Sequence, residues 1–170
     1  MATWKMVGET TFDQGIAETS AAIADPDVTP LPVPLGSRVQ ARDIDNPGYG
    51  DMTFVYCKGV ASTAAGNLVL IDGAGFTTSR PSANAVGKCG VAMSANVANQ
   101  YGWYCIDGTV AITSGDVADG AQLYLTATAS SVDDTVVAGD VIYGAYAVAA
   151  DSGGTTLSSI SHPFVNNVSN

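Results

Sequence analysis

The chain has 170 residues, 46% of them hydrophobic and only 13% charged, with a formal net charge of −10. That apolar content supports a folded core and excludes wholesale disorder. All six Lys and Arg fall within residues 1–88, and residues 89–170 carry seven Asp with His162 as the one basic side chain, a balance that repels phosphate and excludes nucleic-acid binding.

Residues 1–34 read as an extended, Pro-rich N-terminal arm. Trp4, Met6 and Phe12 are apolar without apolar company, and Phe12–Ala24 has enough helical spacing for a short helix that Asp25-Pro26 would end. In Thr29–Leu35 the alternating Pro30, Pro32 and Pro34 fix φ and remove every second backbone donor. The run including Leu31 and Val33 therefore suits a stiff arm laid over a surface, not a helix or a central strand.

Residues 35–165 read as a single β-domain, with 166–170 as a tail. Gly36–Ile44 predicts a first strand. Asp43 to Gly48 imitates the start of a calcium loop, but Pro47 stands where a ligand belongs and Phe54 where the closing Glu belongs, so a Gly/Pro turn is expected over Asn46–Asp51. Strands are then expected at Met52–Val60 and Leu68–Ile71, with a loose connection over Phe76–Gly87. A central hairpin follows: Cys89–Met93, a polar turn at Asn96–Gly102, and Trp103–Ile106, with Thr109–Thr113 after an Asp107-Gly108 break. Leu123–Thr126, Val141–Ala149 and Thr155–Ser161 complete the set, with Asp133-Asp134 in a turn. Short strands punctuated by Gly, Asp and Asn predict an all-β fold, a compact antiparallel β-barrel (β-tulip-like) or a sandwich. Gly59, Gly90 and Gly144 each precede small residues, a pattern expected at bulges or close backbone approaches.

Side chains in an arrangement suited to chemistry are few. Cys57, Cys89 and Cys105 have no CxxC spacing and sit in apolar runs, so buried free thiols are expected, with no disulfide framework and no metal site. His162 lacks a nucleophile elbow to serve, and no phosphate-cradling glycine loop occurs. Asp133 and Asp134 read as turn residues that bond their own backbone, not as an acid–base pair. No catalytic residue, cofactor site or enzyme activity is expected. The N-terminus lacks the apolar core of a signal peptide and no run is long enough to cross a bilayer, so synthesis in a reducing cytoplasm and no membrane partner are expected. The aromatic group Tyr101, Trp103, Tyr104 with Ile106 is the densest in the chain. Alternation places Trp103 and Cys105 on one strand face and Tyr104 and Ile106 on the other, so both faces are apolar. That fits core packing or a subunit interface; a sugar-binding platform is the alternative.

The runs LGSRVQA (35–41), FVYCKGVAST (54–63), GVAMSANVANQYGWYCIDG (90–108), LYLTATASSVDD (123–134), AGDVIYGA (138–145) and HPFV (162–165), with Tyr49-Gly50, resemble small structural proteins from the head-gene region of tailed bacteriophages. These are similar to capsid decoration, or cement, proteins. ANQYGWY is the most specific part, and residues 1–28 lie outside the resemblance. It implies a β-tulip or barrel module on the outer surface of the assembled capsid, often a homotrimer, that bridges major capsid protein subunits and stabilises the head. The arm would supply the grip, with Trp4, Phe12, Pro30, Leu31, Pro32, Val33 and Pro34 as contact residues. The competing function is a virion adhesin or tail-associated carbohydrate-binding module.

Overall fold

The computed structural model describes residues 33–167 and, as backbone only, the strand at residues 4–6. The fold is all-β and antiparallel. Its strands are β1 (Trp4–Met6), β2 (Arg38–Asp43), β3 (Asp51–Lys58), β4 (Leu68–Ile71), β5 (Thr78–Ser79), β6 (Gly87–Ala92), β7 (Tyr101–Thr113), β8 (Gln122–Leu125), β9 (Val132–Asp133), β10 (Val141–Ala147) and β11 (Thr155–Val165). They form one sheet in the order β1-β2-β3-β7-β6-β11-β10-β8-β9, with β4 and β5 branching from β6. Of the two expected shapes the sandwich is the one formed. The sheet folds over a shared core without closing into a barrel, because its ends, β1 and β9, are not paired with each other.

Strand β7 is the centre. Its 13 residues pair with β3 on one side. On the other side they pair first with β6, at Val91↔Cys105 and Ala92↔Tyr104, and then with β11 from Asp107 to Thr113. The sheet therefore forks beside β7. Two irregularities make the fork. On β7 the register against β3 jumps between Thr53↔Asp107 and Phe54↔Cys105, leaving Ile106 extra. Cys105 and Val110, five residues apart, consequently both face the main core, which strict alternation forbids. The expected break at Asp107-Gly108 is thus a bulge inside one continuous strand, not a turn between two.

The second irregularity lies on β11. Tyr143 pairs with Phe164 but Ala145 with Ile160, so Ser161, His162 and Pro163 oppose Gly144 alone. His162 takes a left-handed φ of 46°. This extends β11 past the expected end at Ser161. Pro163 cannot donate to a ladder, and it is tolerated because the strand leaves β7 at this point to pair with β6.

Gly144 has a φ of 72°, and a Cβ there would meet the Ser161 carbonyl oxygen at 2.5 Å. Gly153 has a similar φ of 68° but opens onto free space. Gly144→Ala is therefore expected to destabilise by about 2 kcal/mol more than Gly153→Ala, since both carry the left-handed strain and only the first adds a backbone clash. Paired urea unfolding curves test this; equal losses would show that the β10–β11 bulge adapts freely. Gly59 and Gly90 are close-approach positions as well, with a Cβ meeting Asn96 Cγ at 2.7 Å and Ile71 Cδ1 at 2.8 Å.

The main core draws on both leaves of the folded sheet, including Phe54, Tyr56, Val91, Ile112, Leu123 and Ile160. A second, smaller cluster lies on the opposite face of β3, β4, β6 and β7, built from Val55, Cys57, Val69, Ala92, Tyr104 and Ile106. The loop between β4 and β5 covers it with Phe76. That loop is held by Asp72, whose carboxylate accepts from the backbone of Ala74 and Gly75 at 3.2 and 2.9 Å. It is strapped to the end of β3 where the Lys58 N–H donates to the Phe76 carbonyl at 2.9 Å. The turn expected at Asn46–Asp51 contains one turn of 3-10 helix, Pro47–Tyr49. The buried Asp43 carboxylate is spent on that turn, accepting from the Asp45 N–H at 2.9 Å and from Asn46 Nδ2 at 2.8 Å.

Candidate functional site

The aromatic group singled out in the sequence is interior. Trp103 is 6% exposed and Tyr104 fully buried, on opposite faces of β7, in the main core and the smaller cluster respectively. Ile106 lies beside Tyr104 in the smaller cluster, and Tyr101 packs half-buried against the main core. The rings interlock. Tyr56 lies between Trp103, at a centroid distance of 5.0 Å and a tilt of 49°, and Tyr101, stacked at 6.2 Å and 21°. A sugar platform needs an open ring face, and Trp103 and Tyr104 present none. The packing is closed within the one chain, by Tyr56 on one side and Phe76 with Val55 on the other.

Asn96 ties the hairpin loop to this cluster, a role its sequence position in a polar turn did not reveal. Its Oδ1 accepts from Tyr104 Oη at 3.0 Å, its Nδ2 donates to the Tyr101 carbonyl at 3.4 Å, and its N–H donates to the Thr63 carbonyl at 2.8 Å. The buried phenol is thus satisfied, as a buried polar group must be.

The three cysteines are free and buried. Burial pushes each of the Cys57, Cys89 and Cys105 thiols up to about 12, and it does the same to the Tyr104 phenol. A nucleophilic or metal-ligating thiol needs the opposite shift. Among the described residues no group of three or more His, Cys, Asp or Glu side chains converges as a metal site. His162 Nδ1 lies 3.5 Å from Asp107 Oδ2, which also accepts from Ser161 Oγ at 3.0 Å. Both partners are half-exposed and fasten β11 to the β7 bulge. Asp133, expected in a turn, ends β9 and accepts locally from the Thr135 N–H at 3.0 Å, whereas Asp134 does not bond its own turn but accepts from the distant Ala118 N–H at 2.9 Å.

Of the arm residues, Trp4 belongs to β1, whose backbone pairs with β2 through Trp4↔Asp43, Lys5↔Arg42 and Met6↔Ala41. Val33 is half-buried against the main core, and Pro34 is exposed, its carbonyl accepting from Ser37 Oγ at 2.7 Å. Phe12, Pro30, Leu31 and Pro32, and the short helix expected over Phe12–Ala24, lie outside the described residues.

The surface feature that sequence reading missed is an apolar stripe on the outer face of β10 and β11. Tyr143 and Tyr146 are 47% and 51% exposed, with Phe164 at 39% beside Tyr143 in register. Tyr143 and Tyr146 are three apart, so plain alternation would send them to opposite faces. The bulge at Gly144 puts both outside while Ile142, Ala145 and Ala147 turn inward. The only sequence signal was the glycine itself.

No family model matches the chain, and no curated protein does. Among solved structures, 70% of this chain aligns with 98% of the head fiber gp8.5 N base of bacteriophage phi29, at a TM-score of 0.49 and 14% sequence identity.

Proposed function

We propose that this protein is a structural component of a tailed-phage virion, which binds the outer surface of the assembled capsid and stabilises it by bridging major capsid subunits. The observation that carries the reading is the resemblance of the runs between residues 30 and 165 to small head-region structural proteins, ANQYGWY above all. Physical chemistry supports it in two ways. The aromatic cluster is spent on the chain's own core, and the Tyr143–Tyr146–Phe164 stripe is an aromatic surface open to a partner. The strongly acidic balance of residues 89–170 suits a surface turned away from packaged nucleic acid. The proposed role is non-enzymatic and uses no cofactor.

The stabilisation would act by mass action: a ligand of the assembled lattice alone lowers the free energy of that state. Many copies with modest interfaces act together, and an arm reaching a second subunit raises avidity. In this reading the grip belongs to residues 1–34 and the protein is a homotrimer on the capsid, made in the host cytoplasm before it joins the head.

The test is co-sedimentation with capsids assembled from the major capsid protein encoded alongside this chain. Full-length protein is expected to pellet with assembled capsids and not with unassembled subunits. Deleting residues 1–34 is expected to leave a folded β-domain, judged by its circular dichroism, with capsid occupancy reduced at least about tenfold. Full occupancy by the truncated chain would rule out the arm as the grip, and failure of the intact chain to bind would rule out the decoration role.

A further inference from the structure

The fork in the sheet leaves a cavity of about 300 Å³ on the outer face, beside the small apolar cluster. Its floor and walls are apolar: Val55, Ile71, Phe76, Ile106 and Phe164. Arg38 and Lys88 supply its positive charge, and His162 lines it as well. The chain has six Lys and Arg and one His against 16 acids, so three of seven basic side chains at one cavity run against the composition. Strand register explains the placement. Lys88 on β6 stands between Phe164 on β11 and Ile71 on β4, and Arg38 on β2 stands opposite Val55 on β3.

Among the described residues neither Arg38 nor Lys88 lies within ion-pair distance of a carboxylate; the Lys/Arg–carboxylate pair formed there is Arg42–Asp51. Two cations over an apolar hollow, with no carboxylate of the described residues in ion-pair reach, form the arrangement that holds an amphiphilic anion: an apolar body below and a charged head at the rim. Arg38 and Lys88 line the same cavity from different strands, and a guanidinium suits a carboxylate, which the Arg fork grips through two parallel bonds. Asp107, next to His162, disfavours a head group carrying a second negative charge.

We infer that this fork cavity is a binding site for a small amphiphilic carboxylate, a medium-chain or aryl acid whose apolar body lies on Ile71, Ile106 and Phe164 and whose carboxylate meets Arg38 and Lys88. The site is separate from any capsid grip by residues 1–34 and does not depend on that reading.

The experiment titrates octanoate into the full-length ¹⁵N-labelled protein and follows backbone amide shifts, with octanol and octylammonium as parallel probes. Octanoate is expected to bind saturably, with shifts centred on Ile71, Lys88, Ile106 and Phe164. Octanol should bind at least about tenfold more weakly and octylammonium not at all. The double variant Arg38→Gln/Lys88→Gln changes two exposed side chains, so its amide spectrum should remain that of the folded protein. It should lose at least about tenfold in octanoate affinity while binding octanol as before. Equal affinity for octanoate and octanol, an unchanged double variant, or shifts scattered away from the cavity would each overturn the inference, as would the absence of any shift at millimolar octanoate.

Discussion

Raising the pH from 7 to 10 is expected to remove about 4 kcal/mol of folding stability, most of it through three thiols. Burial holds Cys57, Cys89 and Cys105 protonated up to about 12, against an ordinary value of 9.0. The sign follows from which state loses the proton. Below pH 9 both states keep it and the thiols are neutral in the balance. Above pH 9 the unfolded chain ionises while the folded chain does not, so unfolding becomes easier by about 1.4 kcal/mol per pH unit for each thiol, until the folded value is reached. Tyr104, raised from 10.0 to about 12, joins the loss near its upper end. Urea unfolding at pH 7, 9 and 10 measures the effect, and Cys105→Ala should remove about a third of the slope whatever it costs at pH 7. A stability that stays flat from pH 8 to 10 would mean that the thiols reach water in the folded state. Folded protein should also resist thiol labelling at pH 8 and become reactive in denaturant.

Much of this burial was legible from alternation alone. In Asp51–Lys58 and Tyr101–Ile106, consecutive residues are apolar on both sides of the strand, and the structure divides them between two clusters on opposite sheet faces. Leu68–Ile71 was likewise set off by flanking turn residues and forms β4 as bounded. What sequence could not supply were features created by two distant segments meeting. The β11 bulge depends on Gly144 lying opposite Ser161–Pro163, and nothing local to His162-Pro163 announces that a strand runs through it. Locally, a proline there argues for an end. Asp107-Gly108 has the composition of a turn, and only pairing with β3 and β11 on both sides keeps it in a strand. The outer stripe and the fork cavity both follow from these bulges, which is why the sequence pointed to Trp103 and passed over Tyr143, Phe164 and Lys88.

Replacing Trp103 by Ala is expected to cost about 3–5 kcal/mol, the range for removing a large aromatic from a packed core. The ring is 6% exposed and leans on Tyr56, which in turn stacks on Tyr101, so its loss opens a cavity and frees two further side chains to shift. Typical domains hold only about 5–15 kcal/mol in total, so the variant should unfold at a much lower urea concentration, and part of it should fail to fold when made at 37 °C. Tyr143→Ala is the matched control. It removes an aromatic of comparable size from the outer stripe, where it is 47% exposed, and should change stability by no more than about 0.5 kcal/mol. The pair separates structural from partner-facing aromatics in the same sheet. If Trp103→Ala were as mild as Tyr143→Ala, the indole would not be part of the core, and the sugar-platform reading of β7 would regain its central residue. If the costs differ as expected, an aromatic contact to another molecule has to be sought on β10 and β11. In that case a combined Tyr143→Ser/Phe164→Ser variant, stable but impaired in capsid binding, would identify the stripe as a second contact beside the arm.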